Sequence, residues 1–424
     1  MDHSLIALTI FVVSYTLFVF LPAKRTYIAI GASALLLLTG VLSPKEAFLA
    51  INWNVMGIFV GTLVIADIFM ESRVPAYFAE VIVDRSKNTA WAILLICALT
   101  GLISAFVENV ATVLIVAPIA LALAKKLKMN PMNMMIAIAV SSNLQGTATL
   151  IGDPPSMLLG GFAKMNFMDF FFYKGRPSIF FAVEIGALAS FVVLYFIFRR
   201  RKEKMALVPV EKVRSWVPTV ILVSLIALLA ASSFFDTGFA YMAGILCVVF
   251  GVISVVWDKL FNKKVMMRGM KKLDWETVLF LMGVFVLVGS ITLTGWTEKS
   301  AVFLSNIVGP NIFLGYTLLV FMAVVISAFV DNVPLLVAML PVAISMSAKL
   351  QINPSLFLFG LLIGASLGGN ITPIGASANI VACGLLKKEG YQVSFKDFMK
   401  IGVPFTLAAV TAAYLFVWLV WGFK

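Results

Sequence analysis

Long apolar runs, spaced by short polar breaks, organise most of this chain. Residues 4–21, 26–42, 178–198, 216–234, 239–257 and 403–422 are nearly uninterrupted hydrophobic stretches, and 53–70 is another. Each is long enough for a helix crossing a hydrocarbon core of about 30 Å. Two runs, 89–128 and 311–350, are too long for one crossing, and each is broken near its middle by an acid and an amide, Glu108-Asn109 and Asp331-Asn332. Roughly eighteen residues on either side reach the bilayer midplane at 1.5 Å per residue. Each run is therefore expected to be a re-entrant helical hairpin with the acid at its tip. Residues 74–85 and 297–308 look amphipathic and are expected to lie along the membrane surface.

The two hairpins share a sequence. Ile103-Ser104-Ala105-Phe106-Val107-Glu108-Asn109 returns 223 residues later as Ile326-Ser327-Ala328-Phe329-Val330-Asp331-Asn332. At the same offset Pro118 falls on Pro341, Asn130-Pro131 on Asn353-Pro354, Gly146 on Gly369, Thr149 on Thr372 and Ile151-Gly152 on Ile374-Gly375. Trp53 and Trp275 extend the match after a one-residue slip. The chain is an internal duplication, divided into N-terminal scaffold helices (1–52), a first repeat (53–198), linking helices with basic loops (199–273) and a second repeat (274–424). The shared block after each hairpin is rich in Gly, Pro, Asn, Ser and Thr, which predicts membrane helices broken halfway, at 133–162 and 355–387. Backbone groups freed at such breaks line a cavity or meet neighbouring protein. Half-helix N-termini suit an anion, and unwound carbonyls with Asn, Ser and Thr side chains suit a cation.

Composition agrees with a membrane protein: 62% hydrophobic residues, 12% charged and a mean hydropathy of +1.05. The net charge of +12 is explained by the positive-inside rule, not by nucleic acid. With the N terminus outside and the hairpins counted as re-entrant, 25 of the 32 basic residues face the cytoplasm, among them Lys24, Arg25, Lys125, Lys126, Arg199, Arg200, Lys204, Lys263, Lys264, Arg268, Lys271 and Lys272. Lys45, Lys164, Lys174, Arg176, Lys299, Lys349 and Lys424 remain outside. This places both termini outside a prokaryotic inner or plasma membrane and makes the duplication an inverted one. The expected fold is an all-α polytopic membrane protein, an inverted repeat of about ten transmembrane helices plus two re-entrant hairpins and two broken helices. The first span lacks a cleavage site and is expected to be retained. Cys97, Cys247 and Cys383 lie in apolar runs and are expected to pack, without disulfide or metal. Neither a P-loop fingerprint nor a nucleophile–base pair is evident, so no enzymatic activity and no cofactor beyond bound Na+ or H+ is expected.

A carboxylate at the bilayer centre costs about 2.5–3.5 kcal/mol on insertion scales, which makes each one a candidate for function. Glu108 and Asp331 lead, and capping of the second hairpin arms is compatible with ion binding. Asp153 precedes Pro154-Pro155 and has Ala376 as its repeat partner; Asp67 and Glu184 are weaker candidates for a pathway. His3 is the only histidine, so any proton carrier is a carboxylate. The candidate ion- and substrate-binding set is Glu108, Asn109, Asp331, Asn332, Ser104, Ser327, Asn143, Gly146, Thr149, Gly152, Asp153, Asn370, Thr372, Gly375, Ser377 and Asn379.

The stretches Ser327-Ala328-Phe329-Val330-Asp331-Asn332-Val333-Pro334, Leu367-Gly368-Gly369-Asn370, Ile374-Gly375-Ala376-Ser377-Ala378-Asn379 and Ile151-Gly152-Asp153-Pro154-Pro155-Ser156 resemble signatures of the ion transporter superfamily. That superfamily holds ArsB-type arsenite permeases, NhaD-type sodium/proton antiporters and divalent-anion/sodium symporters, and the likeness extends to its melanosomal P protein branch. The resemblance implies a homodimer whose scaffold holds a transport domain of hairpins and broken helices, with elevator-type alternation of access. It also implies Na+ at Asn109, Gly152, Asn332 and Gly375. Dicarboxylate relatives carry Ser-Asn-Thr at the tips, where this chain has Glu108-Asn109-Val110 and Asp331-Asn332-Val333. The leading expectation is a secondary active transporter coupling H+ or Na+ to a small, inorganic anion such as arsenite. Alternatives are an NhaD-type Na+/H+ antiporter, a dicarboxylate or citrate–Na+ symporter, and an anion channel.

Overall fold

The computed structural model describes residues 2–203, 212–236, 238–262 and 274–423. Lys204, Lys263, Lys264, Arg268, Lys271, Lys272 and Lys424, used in the charge assignment, lie outside the described residues. The helices in order are α1 (His3–Phe20), α2 (Arg25–Leu38), α3 (Pro44–Ala50), α4 (Trp53–Glu71), α5 (Val74–Arg85), α6 (Thr89–Ser104), α7 (Asn109–Lys126), α8 (Met132–Gly146), α9 (Pro154–Ala163), α10 (Ile179–Phe198), α11 (Val217–Ser232) and α12 (Met242–Asn262). The second half continues with α13 (Trp275–Leu293), α14 (Trp296–Val308), α15 (Ile312–Ser327), α16 (Asn332–Lys349), α17 (Pro354–Gly368), α18 (Ser377–Lys388) and α19 (Phe395–Trp421). Phe172–Tyr173 and Arg176–Pro177 form a two-stranded turn. Among the described residues nine helices are long and apolar enough to cross a membrane, so the protein is an all-α polytopic membrane protein.

Side-chain caps set most of the helix starts in the two repeats. Asn88 accepts from the Trp91 amide to start α6, Glu108 from Ala111 to start α7, and Asp153 from Ser156 to start α9. Asn311, Asp331 and Asn353 do the same for α15, α16 and α17. These caps satisfy first-turn amides that the helices themselves leave unpaired, at Glu108, Asp153 and Asp331 within buried or half-buried surroundings. The arms α6 and α7 touch each other and both pack on α8, as α15 and α16 touch and both pack on α17. The chain therefore reverses direction at 105–108 and again at 328–331. The axis of α14 turns by 118° before α15 begins, so the amphipathic segment is no continuation of the hairpin arm.

Three apolar runs have different bounds from those expected, one of them 239–257, which is helical over Met242–Asn262. The run 26–42 is helical only to Leu38, because Gly40 adopts φ 71° and Ser43 with Glu46 forms a capping box for α3. Its 14 residues reach about 21 Å, short of a full hydrocarbon core. The last span begins at Phe395, not at 403, because Ser394 caps it through the Asp397 amide.

The frame around the hairpins and broken helices consists of close helix pairs: α12 along α4, α19 along α10 and α13 along α2. In the first pair a Cβ on Gly61 would lie 2.3 Å from the Cys247 backbone, so the two backbones are in direct contact, as small residues permit in membranes. In the last pair Ala29 lies against Gly283, and the Thr26 hydroxyl donates to the Glu276 carbonyl at 3.0 Å.

Candidate ion and substrate site

The N-termini of four helices meet at one cavity of about 210 Å³, lined by Glu108-Asn109, Asp153-Pro154, Asp331-Asn332 and Ala376-Ser377. Three of these ends are capped by their own carboxylates: Glu108 takes the Ala111 amide at 3.0 Å, Asp153 the Ser156 amide at 2.9 Å and Asp331 the Val333 amide at 3.0 Å. The fourth start, α18, has Ala376 before it and no side-chain cap. Sequence symmetry is thus broken at one position, and with it the charge of the cavity wall.

Behind the wall the two repeats build the same clasp. The Thr149 hydroxyl donates to the Ala105 carbonyl and the Thr372 hydroxyl to the Ala328 carbonyl, tying each broken helix to its hairpin tip. A Cβ on Gly152 would lie 2.3 Å from the Gly146 carbonyl oxygen and 3.0 Å from that of Ala105; on Gly375 it would lie 2.5 Å from the Gly369 oxygen and 2.9 Å from that of Ala328. Only glycine fits either position. Each clasp thus gathers a hydroxyl and carbonyl oxygens around unwound backbone, the donor set that suits a small cation. Near the first, Ser104 donates to the Asn109 amide oxygen at 2.7 Å and Ser142 to the Asn109 carbonyl at 3.1 Å. In the second, Ser327 donates to the Ala365 carbonyl.

An asparagine cluster joins the halves. The Asn143 amide donates to Asn370 Oδ1 at 3.0 Å and to Asn379 Oδ1 at 2.9 Å. Asn379 donates in turn to the Gly369 and Thr372 carbonyls, both at 2.9 Å. All three are buried, so the cluster fixes α8 against the second break.

Of the sequence-predicted residues, Glu108, Asn109, Asn143, Asp153, Asp331, Asn332 and Ser377 line the cavity. Ser104, Ser327, Gly146, Thr149, Gly152, Asn370, Thr372, Gly375 and Asn379 are buried and shape its surround. Asp67 also lines it. Glu184 does not: it accepts from Gln145 Nε2 at 3.2 Å in a separate, largely apolar cavity of about 550 Å³ between α6 and α10.

Among the lining residues that the sequence does not single out for the site are Asp274, Phe280 and Arg25. Arg25 pairs with Asp331 and lies over the Phe280 ring at 4.8 Å. Its position after a short loop made it a marker of the cytoplasmic side, and only the packing of α2 on α13 carries it to the hairpin tip. Among the described residues the lining holds five carboxylates (Asp67, Glu108, Asp153, Asp274, Asp331) and one basic group. Such a wall concentrates cations and repels a bare anion.

Comparison with known proteins follows the same lines. The citrate transporter (CitMHS) family model matches residues 15–351 and 314–423. An uncharacterized transporter of Mycobacterium tuberculosis is 28% identical over 98% of both chains, and a 46 kDa membrane protein of Mycobacterium leprae is likewise 28% identical over 98% of each. The human P protein is 23% identical across 94% of this chain and 57% of its own length. Among solved structures, the YdaH transporter of Alcanivorax borkumensis, described as having an unusual topology, superposes with a TM-score of 0.62 at 14% identity, covering 99% of this chain and 98% of that one. MtrF of Neisseria gonorrhoeae, described within a class of antimetabolite efflux pumps, gives 0.58 at 14% identity over 92% and 85%. At that identity the likeness concerns the fold alone.

Proposed function

Since the chain belongs to the CitMHS citrate transporter family and is a secondary transporter of that family, we propose that it moves a small anion together with H+ or Na+, the cation being held by Glu108, Asp153 and Asp331. One observation carries this reading: the excess of carboxylates over basic groups around the cavity. A polyanion such as citrate, which the family's description names, or an inorganic anion such as arsenite, enters such a wall only with its charge neutralised. The cation's place is at the acids and the twin clasps, including Asn109, Gly152, Asn332 and Gly375; the anion's is at the uncapped start of α18, beside Ser377. In this proposal the protein works as a homodimer, moves hairpins and broken helices against the frame by an elevator-type alternation, keeps both termini outside and catalyses no reaction.

The same acid excess favours Na+/H+ antiport as a second reading. Purified protein in liposomes loaded with a pH-sensitive dye separates them. Pulses of Na+, arsenite and citrate are given in turn, alongside Asp331→Asn. Proton or Na+ movement that requires an added anion supports the coupled anion transporter and names its substrate class. Proton movement on Na+ alone, lost in Asp331→Asn, transfers the conclusion to the antiporter.

A further inference from the structure

Arg25 is the one basic side chain among the described residues lining the cavity, and it stands on the frame, not on a hairpin. The Thr26–Glu276 hydrogen bond and the Ala29–Gly283 contact fix α2 on α13. From there the guanidinium crosses to Asp331 at the tip of the second hairpin. The first hairpin has no equivalent: Glu108 caps its own helix, and no second base among the described residues lines the cavity beside it. Both members of the Arg25–Asp331 pair keep 26% of their side-chain surface exposed, so an ion in the cavity reaches the same carboxylate. Asp274, at the start of α13, lines the same cavity, and its charge and that of Glu276 favour the guanidinium's charged form.

We propose that Arg25 is a tethered cation, occupying Asp331 while the site is empty and displaced when the transported cation binds there. This rests on the reading of Asp331 as a cation site. A carboxylate that stays ionised inside a membrane cavity is stabilised by a counter-charge, also while the empty site returns. An arginine supplies one that keeps its proton and stays behind. Displacement also cuts a bond between the frame and the second hairpin. Further contacts of the frame with that arm, the packing of α13 on α16 and the Tyr15 hydroxyl on the Pro334 carbonyl at 3.0 Å, are uncharged and indifferent to the ion. Cation binding and release of one hairpin thereby become a single event.

The competition is measured without any anion substrate. The full-length protein in detergent is titrated with Na+ at constant ionic strength, and in Na+-free buffer with H+, following the thermal unfolding midpoint of wild type, Arg25→Gln, Arg25→Lys, Asp331→Asn and the double variant. Removing the competitor should lower the half-saturating cation concentration by about tenfold in Arg25→Gln, with Arg25→Lys closer to wild type. Asp331→Asn should remove the part of the response that Arg25→Gln shifts, so that the double variant behaves as Asp331→Asn does. A response that Asp331→Asn removes but Arg25→Gln leaves unshifted overturns the tethered cation alone. Titrations with Na+ and H+ that are both indifferent to Asp331→Asn overturn the cation-site reading itself, and the proposal with it. The Arg25→Lys variant separates loss of charge from loss of fold.

Discussion

At the scale of single residues, the cavity turns on a few oxygen atoms whose loss has distinct signatures. Asp331→Asn and Glu108→Gln should each abolish ion-coupled flux in liposomes while leaving membrane insertion and the elution profile unchanged; coupled flux at the wild-type level in either would remove the acids from the mechanism. Thr149→Val and Thr372→Val keep shape but leave the Ala105 or Ala328 carbonyl without its hydroxyl donor. A buried acceptor stripped of its partner costs about 1–3 kcal/mol, so both variants should unfold at lower temperature, and by similar amounts. These residues are legible in the sequence because an acid in an apolar run is costly and because each clasp residue has a twin at a fixed offset. Arg25 and Asp274 are not. One follows a loop and the other caps a helix, ordinary places for charge, and nothing local indicates that both face the hairpin tips.

At the scale of elements, helix starts and breaks follow the chain chemistry closely. The expected hairpins 89–128 and 311–350 are occupied by α6 with α7 and α15 with α16, and the expected breaks in 133–162 and 355–387 fall at residues 147–153 and 369–376. Caps of Asn, Asp and Glu mark these places in the sequence itself. The early end of α2 is less visible, because Leu-Thr-Gly-Val-Leu at 38–42 stays apolar on average and hydropathy alone does not register the turn at Gly40. The orientation of the hairpins yields a prediction at this scale. Lys126 and Lys349, both exposed at the ends of second arms, should as cysteines react with an impermeant maleimide from the cytoplasm and from outside respectively. Labelling of both from one side would remove the inverted arrangement. Gly61→Leu, which puts a side chain into the Cys247 backbone, should separate α4 from α12 and greatly reduce the yield of monodisperse protein.

At the scale of the whole molecule, a duplicated pair of hairpins sits within a frame whose close pairs repeat, Gly61 on Cys247 matching Gly283 on Ala29, while the charges around the cavity do not. Asp153 has Ala376 as its twin, and among the described residues Asp331 has a guanidinium from the frame where Glu108 has none. The repeat explains why four helix starts converge; the departures from it explain why the site has a sign. The contact of Ala29 with Gly283 gains a meaning from this. A helix sliding by one turn along its neighbour moves every side chain about 5.4 Å, far enough to carry a charge out of reach of its partner. The register of two scaffold helices then acts as a dial on the voltage felt by the ion. Its setting is held by a methyl group and a glycine that never touch the cargo. Selection can retune such a transporter from its periphery, and Gly283→Ala is the smallest turn of that dial: it should shift the half-saturating cation concentration while every residue lining the cavity keeps its identity.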